Sequence, residues 1–127
     1  MQKVVITGHD LTVDQIIAVC REGAEVVLSD ESREKILASR QVVNELVEER
    51  KVVYGITTGF GKFSDVVISQ DECKLLQKNL IITHAVGAGD PFKEDIARGI
   101  LLLRVNSLSN GFSGICLETV ETMIAML

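Results

Sequence analysis

Residues 98–104, Arg-Gly-Ile-Leu-Leu-Leu-Arg, place four consecutive aliphatic side chains between two arginines. Four such residues cover the whole circumference of a helical turn, so their helix should be buried on several sides. We expect this helix to begin at Asp90-Pro91, with Pro91 in its first turn, and to stop at Asn110-Gly111. It is the centre of a fold that we expect to be mainly α.

Two helices are predicted in the first half of the chain. Thr12 and Gln15 form a capping box that opens the first of them, and Gly23 should end it. Ser29 or Asp30 caps a much longer helix. Its apolar face is marked by residues at helical spacing, namely Ile36, Val43, Leu46 and Val47.

Two more helices are predicted in the second half. Ser69 and Glu72 form another capping box, which opens a helix that continues toward His84. A last helix should open at Ser113-Gly114 and carries an apolar pattern up to Leu127. An uncapped apolar end is typical of a chain that has been cut, so we expect this chain to be part of a longer one.

Two short β-branched runs near the N-terminus predict a small amount of sheet. Val4–Thr7 reads as one strand and Glu25–Leu28 as a second. Their closeness in sequence makes pairing between them plausible. We therefore expect a small two-stranded β element beside the helices.

Composition narrows the classes of function. The 127 residues fit one domain, and the net charge of −5 comes without any basic stripe of the kind that binds nucleic acid. No apolar stretch is long enough to span a membrane and no signal peptide is recognisable, so we expect a cytoplasmic protein.

Cysteine and histidine usage argues against a disulfide framework and a metal site. Cys20, Cys73 and Cys116 are widely spaced and odd in number, which indicates buried reduced thiols. The histidines are only His9 and His84, too few for a metal site without converging carboxylates. We interpret His9 as a surface turn residue.

A glycine-rich segment follows the long helix and contains the only tyrosine of the chain. Residues 53–63 read Val-Tyr-Gly-Ile-Thr-Thr-Gly-Phe-Gly-Lys-Phe. A phosphate-binding loop requires Ser or Thr after its Gly-Lys, where this chain has Phe63, and a dinucleotide fingerprint requires a third glycine that is also missing. By the residues alone, the favoured interpretation is that Tyr54 is a core tyrosine at the end of a strand and that the neighbouring glycines only turn the chain.

Three segments in order resemble the ammonia-lyases that deaminate histidine, phenylalanine or tyrosine. Tyr54–Gly61, Y-G-I-T-T-G-F-G, is similar to the inner active-site loop of that family. Residues 76–87, with Thr83-His84, look like its second active-site segment, and residues 104–114 like its third. The resemblance implies the N-terminal domain of the L-aspartase-like ammonia-lyase helical fold over residues 1–127, in a protein that forms homotetramers.

The resemblance also implies a role for each site residue. Tyr54 would be the general base that takes a proton from the β-carbon of the substrate, although an ordinary phenol has a pKa of about 10 and needs stabilisation of its phenolate. His84 and Gly61 would bind the substrate. A lid loop that closes over the substrate would contain Gly55, Thr57, Thr58 and Gly59, with the glycines as its hinges.

The electrophile of the resembled family is a methylidene-imidazolone group that forms from an Ala-Ser-Gly triad. No Ala-Ser-Gly occurs in this sequence, so we expect the triad to lie beyond residue 127 and the 127 residues alone to be inactive. In this isolated piece we also expect a mobile loop around an unactivated tyrosine.

The resembled reaction is the elimination of ammonia from L-histidine to give urocanate, a step of histidine degradation. His84 argues against phenylalanine as the substrate, and Thr83-His84-Ala85-Val86-Gly87 is closer to histidine-specific members. Thr57 and Phe112 depart from the histidine pattern, which has asparagine and tyrosine or histidine there. A tyrosine ammonia-lyase, an aminomutase, or a non-catalytic helical binding module are the alternatives.

Overall fold

The computed structural model describes residues 2–58 and 69–127, which contain five helices and two strands. In chain order the elements are β1 (Lys3–Ile6), α1 (Val13–Glu22), β2 (Glu25–Leu28), α2 (Asp30–Glu48), α3 (Gln70–His84), α4 (Glu94–Leu108) and α5 (Leu117–Ala125). The expected mainly α fold with a small β element is therefore confirmed. None of the helices in these ranges is long and apolar enough to cross a membrane.

The chain divides into two compact units, which we name by the roles argued below. The scaffold unit consists of residues 1–41 and 91–127, and the site unit consists of residues 42–90. The boundary falls within α2, so this helix contributes its first part to the scaffold unit and its last turns to the site unit.

The scaffold unit begins with a β-α-β arrangement. β1 and β2 pair in parallel, with Val4 opposite Val26 and Ile6 opposite Leu28. α1 connects them, because parallel neighbours require a crossover rather than a tight turn. The capping box of Thr12 starts α1, and Gly23 ends it in the left-handed conformation with φ 71°. The strand pairing and both helix boundaries were predicted correctly.

An apolar core fills the scaffold unit. Its buried members come from both strands, from four of the helices and from the turn before β2: Val4, Ile6, Ala18, Val19, Ala24, Leu28, Ile36, Leu102, Val105 and Val120. α1 and α4 pack together, and Arg21 forms a 3.1 Å ion pair with Asp95 across that contact. Arg98 also donates a 2.9 Å hydrogen bond to the carbonyl of Val19.

The expected burial of α4 on several sides is only partly right. Leu102 is fully buried, whereas Ile100 and Leu103 are each about half exposed, at 54% and 52%. In the scaffold unit α4 packs against α1 and α5, so the core covers one stripe of the helix rather than its whole circumference.

Two predicted helix starts were wrong. α4 begins at Glu94 rather than at Asp90-Pro91, with Lys93 as its extended N-cap, and Glu94 supplies negative charge in the first turn. α5 begins at Leu117 rather than at Gly114. Gly114 has φ 66°, and both of its backbone groups bond to side chains of α2, which excludes a helical conformation there.

The thiols described by the structure are unbridged. Cys20 and Cys116 are free and half-buried, so they are less buried than predicted. The side chain of Cys73 lies outside the described part of the chain.

Candidate functional site

The polypeptide leaves α2 through a tight C-terminal motif that leads directly to Tyr54. Lys51 N–H donates to the carbonyl of Leu46 at 3.1 Å, and Arg50 N–H donates to that of Val47 at 3.2 Å. Together with φ 53° at Arg50, these two bonds form a Schellman motif. The direction of the chain four residues before Tyr54 is thus set by the end of a helix.

Tyr54 lies in a turn that is closed by backbone hydrogen bonds. The carbonyl of Val53 accepts from the N–H of Ile56 at 3.1 Å and from that of Thr57 at 3.0 Å. Gly55 has φ 73°, a conformation that L side chains rarely adopt, so this glycine is required by the turn itself. The Tyr54 side chain is 62% exposed and projects from this turn.

The two threonines expected in a lid loop are buried. Thr57 is 7% exposed and Thr58 is 1% exposed. The Thr57 hydroxyl accepts a 2.9 Å hydrogen bond from Val53 N–H and donates to the carbonyl of Lys51. Residues 54–58 therefore form an anchored turn, and mobility of the whole loop stays a prediction. Gly59 and Gly61 lie outside the described residues.

An ion pair lies next to this turn. Lys51 forms an ion pair with Glu49, and the hydrogen bond between their side chains, followed by the charge of Glu49, raises the pKa of Lys51 above its ordinary value. The lysine therefore stays protonated as the partner of Glu49. Lys51 lies three residues before Tyr54, and the carboxylate of Glu49 balances its charge.

α3 carries the second candidate residue at its last position. Ser69 and Glu72 form the predicted capping box, in which the Glu72 carboxylate accepts from Ser69 Oγ at 2.7 Å and from Ser69 N–H at 2.9 Å. These bonds, the one from the hydroxyl first, lower the pKa of Glu72. The cap fixes where α3 starts, and the 15-residue length of the helix then sets the position of His84.

The His84 ring is held by its own helical turn. Its Nδ1 lies 2.9 Å from the carbonyl oxygen of Leu80 and 3.0 Å from Oγ1 of Thr83. A carbonyl oxygen can only accept, so Nδ1 carries the proton of the neutral ring. Thr83 Oγ1 itself lies 2.8 Å from the carbonyl of Asn79, where it donates. The neutral ring therefore presents Nε2 as a hydrogen-bond acceptor.

Tyr54 and His84 belong to the same compact unit, on either side of residues 59–68. The sequence singled out both residues, but not the contacts that orient them. The carbonyl of Leu80 was missed as a partner of His84. The available signal was the position of a histidine in the last turn of a capped helix, where its side chain can reach the final carbonyls.

The third segment of the resemblance lies in the scaffold unit and has a structural role there. Asn106 Oδ1 accepts from Gly8 N–H at 3.2 Å, and Asn110 Nδ2 donates to the Gly8 carbonyl at 2.9 Å. A Cβ at Gly8 would lie 2.8 Å from the Asn110 side chain, so only glycine fits this contact. Phe112 is 92% exposed.

Comparison with known proteins gives the family. The model of the family described as aromatic amino acid lyase matches residues 11–127. The histidine ammonia-lyase of Caldanaerobacter subterraneus subsp. tengcongensis is 56% identical over 127 residues, which is 100% of this chain and 25% of that protein. The chain belongs to the aromatic amino acid lyase family, and the resemblance inferred from its three segments is confirmed.

Solved structures agree with this assignment. The histidine ammonia-lyase of Trypanosoma cruzi superposes with a TM-score of 0.89 at 41% identity, covering 97% of this chain and 24% of that one. The tyrosine aminomutase of Streptomyces globisporus gives 0.88 at 32% identity, covering 97% and 23%. The chain thus spans about a quarter of the length of the relatives that it matches.

Proposed function

We propose that this chain forms the N-terminal part of a histidine ammonia-lyase, which eliminates ammonia from L-histidine to give urocanate. The observation that carries the proposal is the 56% identity over the whole chain to a histidine ammonia-lyase, combined with a tyrosine turn and a histidine acceptor in one unit. In the balanced reaction, the substrate loses its amine as ammonia and one proton from the β-carbon, and a carbon–carbon double bond forms.

Tyr54 is the proposed general base. The phenolate oxygen would accept the β-proton as the electron pair of the carbon–hydrogen bond becomes the new double bond and the amine leaves. Phenols are weak bases near neutral pH, so the phenolate needs nearby positive charge or donors. Lys51 on the same segment has the right sign, and it would act on the phenolate only when its ion pair with Glu49 opens.

His84 is proposed to bind the ring of the substrate. Because Nδ1 is bonded to the carbonyl of Leu80, Nε2 would accept a hydrogen bond from an N–H of the imidazole. Once a bound substrate covers this acceptor, rings that carry no donor would be disfavoured, since they would leave it unpaired. Gly61 is proposed to contact the substrate on the basis of the resemblance.

The proposed electrophile is not formed by these residues. The sequence contains no Ala-Ser-Gly triad, so nothing in this chain fits the methylidene-imidazolone group, and we derive no step through it. When present, such a group turns the amine of the substrate into a better leaving group. The residues described here would supply the proton acceptor and the ring-binding acceptor.

The proposed assembly is a homotetramer in the cytoplasm, in which neighbouring chains complete each site. Exposed apolar side chains on α3 support association, namely Leu75 at 57%, Ile81 at 71% and Ile82 at 62%. A size measurement that finds a clean monomer of the complete protein would contradict this part of the proposal.

The decisive experiment is a substrate panel on the protein encoded by the complete gene. Conversion of L-histidine to urocanate should exceed turnover of L-tyrosine and L-phenylalanine, and Tyr54→Phe should lower kcat by about 10²–10⁴-fold, the usual contribution of a general base. His9→Gln, in a surface turn of the scaffold unit, is the control. Turnover that survives in the phenylalanine variant removes Tyr54 from its role.

Tyrosine is the second candidate substrate, because a solved tyrosine aminomutase is 32% identical over 97% of this chain. The Nε2 acceptor of His84 could bind a phenol hydroxyl as well as an imidazole N–H. The panel separates the two substrates, and the position of the amine in any product from tyrosine distinguishes a lyase from an aminomutase. A complete protein that turns over none of these amino acids would favour a binding module.

A further inference from the structure

We propose that Thr57 is a positioning residue for Tyr54, with its hydroxyl fixing the turn that presents the phenol. This inference rests on the proposed role of Tyr54 as the base. It concerns a side chain that would never touch the substrate. The contacts that carry it are all within residues 46–57.

The Thr57 hydroxyl uses both of its hydrogen-bonding functions on the backbone that precedes Tyr54. It accepts from Val53 N–H at 2.9 Å and donates to the carbonyl of Lys51. Thr57 is only 7% exposed, so water has little access to replace these bonds. One buried side chain therefore ties together two backbone positions, two residues apart, just before the base.

Both backbone groups of Val53, the neighbour of Tyr54, are occupied through Thr57. Its N–H donates to the Thr57 hydroxyl, and its carbonyl accepts from the Thr57 N–H at 3.0 Å. Tyr54 is 62% exposed, and the backbone from which its side chain projects is fixed by these bonds. Loss of the hydroxyl would release the N–H of Val53 and the carbonyl of Lys51 together.

The same segment is fastened at its other end by α2. The Schellman motif at Arg50 fixes Lys51 against the helix through the 3.1 Å bond to Leu46. Thr57 closes the turn back onto Lys51, so Tyr54 lies between two anchored points. A general base must reach its proton with near-ideal geometry, and an error of about 1 Å can cost about 10²-fold in rate.

The chemistry identifies the substitutions that should and should not be tolerated. Thr57→Val keeps the shape of the side chain and removes the hydroxyl. Thr57→Ser keeps the hydroxyl, and Thr57→Asn offers an amide whose oxygen can accept from Val53 and whose nitrogen can donate to Lys51. Thr122→Val is the matched control, because the Thr122 hydroxyl also donates to a backbone carbonyl, 2.7 Å away at Glu118, far along the chain from Tyr54.

The first measurement follows Tyr54 directly in the 127-residue chain. The sequence has one tyrosine and no tryptophan, so fluorescence anisotropy reports the Tyr54 side chain alone. The anisotropy should fall in Thr57→Val, and should stay near that of the wild type in Thr57→Ser, Thr57→Asn and Thr122→Val. This measurement requires no activity, so it tests the positioning role even if the proposed reaction is wrong.

The second measurement uses the complete protein. Thr57→Val should lower kcat about tenfold or more with little change in KM, because the base is misplaced while the substrate still binds. Serine and asparagine at position 57 should restore kcat. If Tyr54→Phe abolishes turnover while Thr57→Val lowers neither kcat nor the anisotropy, the inference is overturned and the proposed function stands.

A variant that does not fold leaves the inference testable. If circular dichroism shows that Thr57→Val is unfolded, Thr57→Ser and Thr57→Asn decide. Both should then fold and keep wild-type anisotropy and kcat, and loss of either property in both folded variants overturns the proposal.

Discussion

The scaffold unit and the site unit are each stabilised by a different kind of interaction. The scaffold unit buries ten apolar residues, which come from the two strands, the helices around them and the turn before β2. In the site unit, the buried residues among those that the structure describes are Thr57 and Thr58, and α3 exposes several large apolar side chains. Hydrophobic burial therefore stabilises the scaffold, whereas local hydrogen bonds and caps order the segment that carries Tyr54 and the helix that carries His84.

This difference agrees with the proposal that the site unit carries Tyr54 and His84 while the scaffold unit supports them. A packed core gives a rigid frame, whereas the order of the turn that carries Tyr54 depends on a few hydrogen bonds. Three predictions test the contrast, each with a matched pair of positions, one in each unit.

The largest effect should come from removing the same side chain in the two units. Leu102→Ala in the core of the scaffold unit should lower the free energy of unfolding by roughly 2–5 kcal/mol, because it leaves a cavity. Leu75→Ala on α3, where the side chain is 57% exposed, should change it by less than about 0.5 kcal/mol. Urea unfolding of the 127-residue chain measures both, and equal losses would contradict the contrast.

A smaller effect should come from glycines with positive φ. At Gly111 (φ 73°), a Cβ would lie 2.6 Å from Lys35 Cβ and 2.7 Å from its backbone carbon, so Gly111→Ala should cost about 2–4 kcal/mol. At Gly89 (φ 87°), no atom lies within 4 Å of the added Cβ among the described residues. Gly89→Ala should therefore cost only the backbone strain, about 1–2 kcal/mol.

Thermal unfolding of the two glycine variants provides the comparison. A Gly111 variant that unfolds at the same temperature as the Gly89 variant would show that the contact with Lys35 is not tight. The result would then weaken the distinction between a close-packed scaffold and an open site unit.

The smallest effect should be an acid-sensitive start of α3. The pKa of Glu72 is held below its ordinary value of 4.5 by Ser69, so the cap stabilises the helix above that pH and loses this contribution as the pH falls through the lowered pKa. α1 has the same motif with Gln15, which does not titrate. The N-terminal turn of α3 should therefore lose order in acid as Glu72 becomes protonated. Glu72→Gln should abolish this pH-dependent change.

Backbone carbon chemical shifts of both N-terminal turns, followed from about pH 6 to about pH 3, measure this effect. Asp14 and Asp71 are further carboxylates in the first turns of α1 and α3, so the decisive observation is the difference between wild type and Glu72→Gln in α3. An acid step that persists in the glutamine variant would show that Glu72 is not its source.

The residues that could be recognised in advance were those with local signals. Tyr54 and His84 stood out as the only tyrosine and as one of two histidines, within segments that resemble a known family. Their orientation could not be recognised, because it depends on the backbone carbonyl of Leu80 and on the donor and acceptor sides of the Thr57 hydroxyl. Thr57 stands where the resembled histidine-specific lyases have asparagine. Its single hydroxyl accepts from Val53 N–H and donates to the Lys51 carbonyl, two bonds that an asparagine amide could also make.

Local chemistry within a few residues determined the capping boxes at Thr12 and Ser69, the end of α1 at Gly23 and the two strands, because each of these interactions closes within one turn or one short run. Tertiary structure alone decided which face of α4 is buried, where α5 begins and why Gly8 must be a glycine. Those outcomes depend on contacts between residues far apart in the sequence, such as Asn110 and Gly8, which are 102 residues apart. A local sequence pattern does not indicate which distant residues will pack against it.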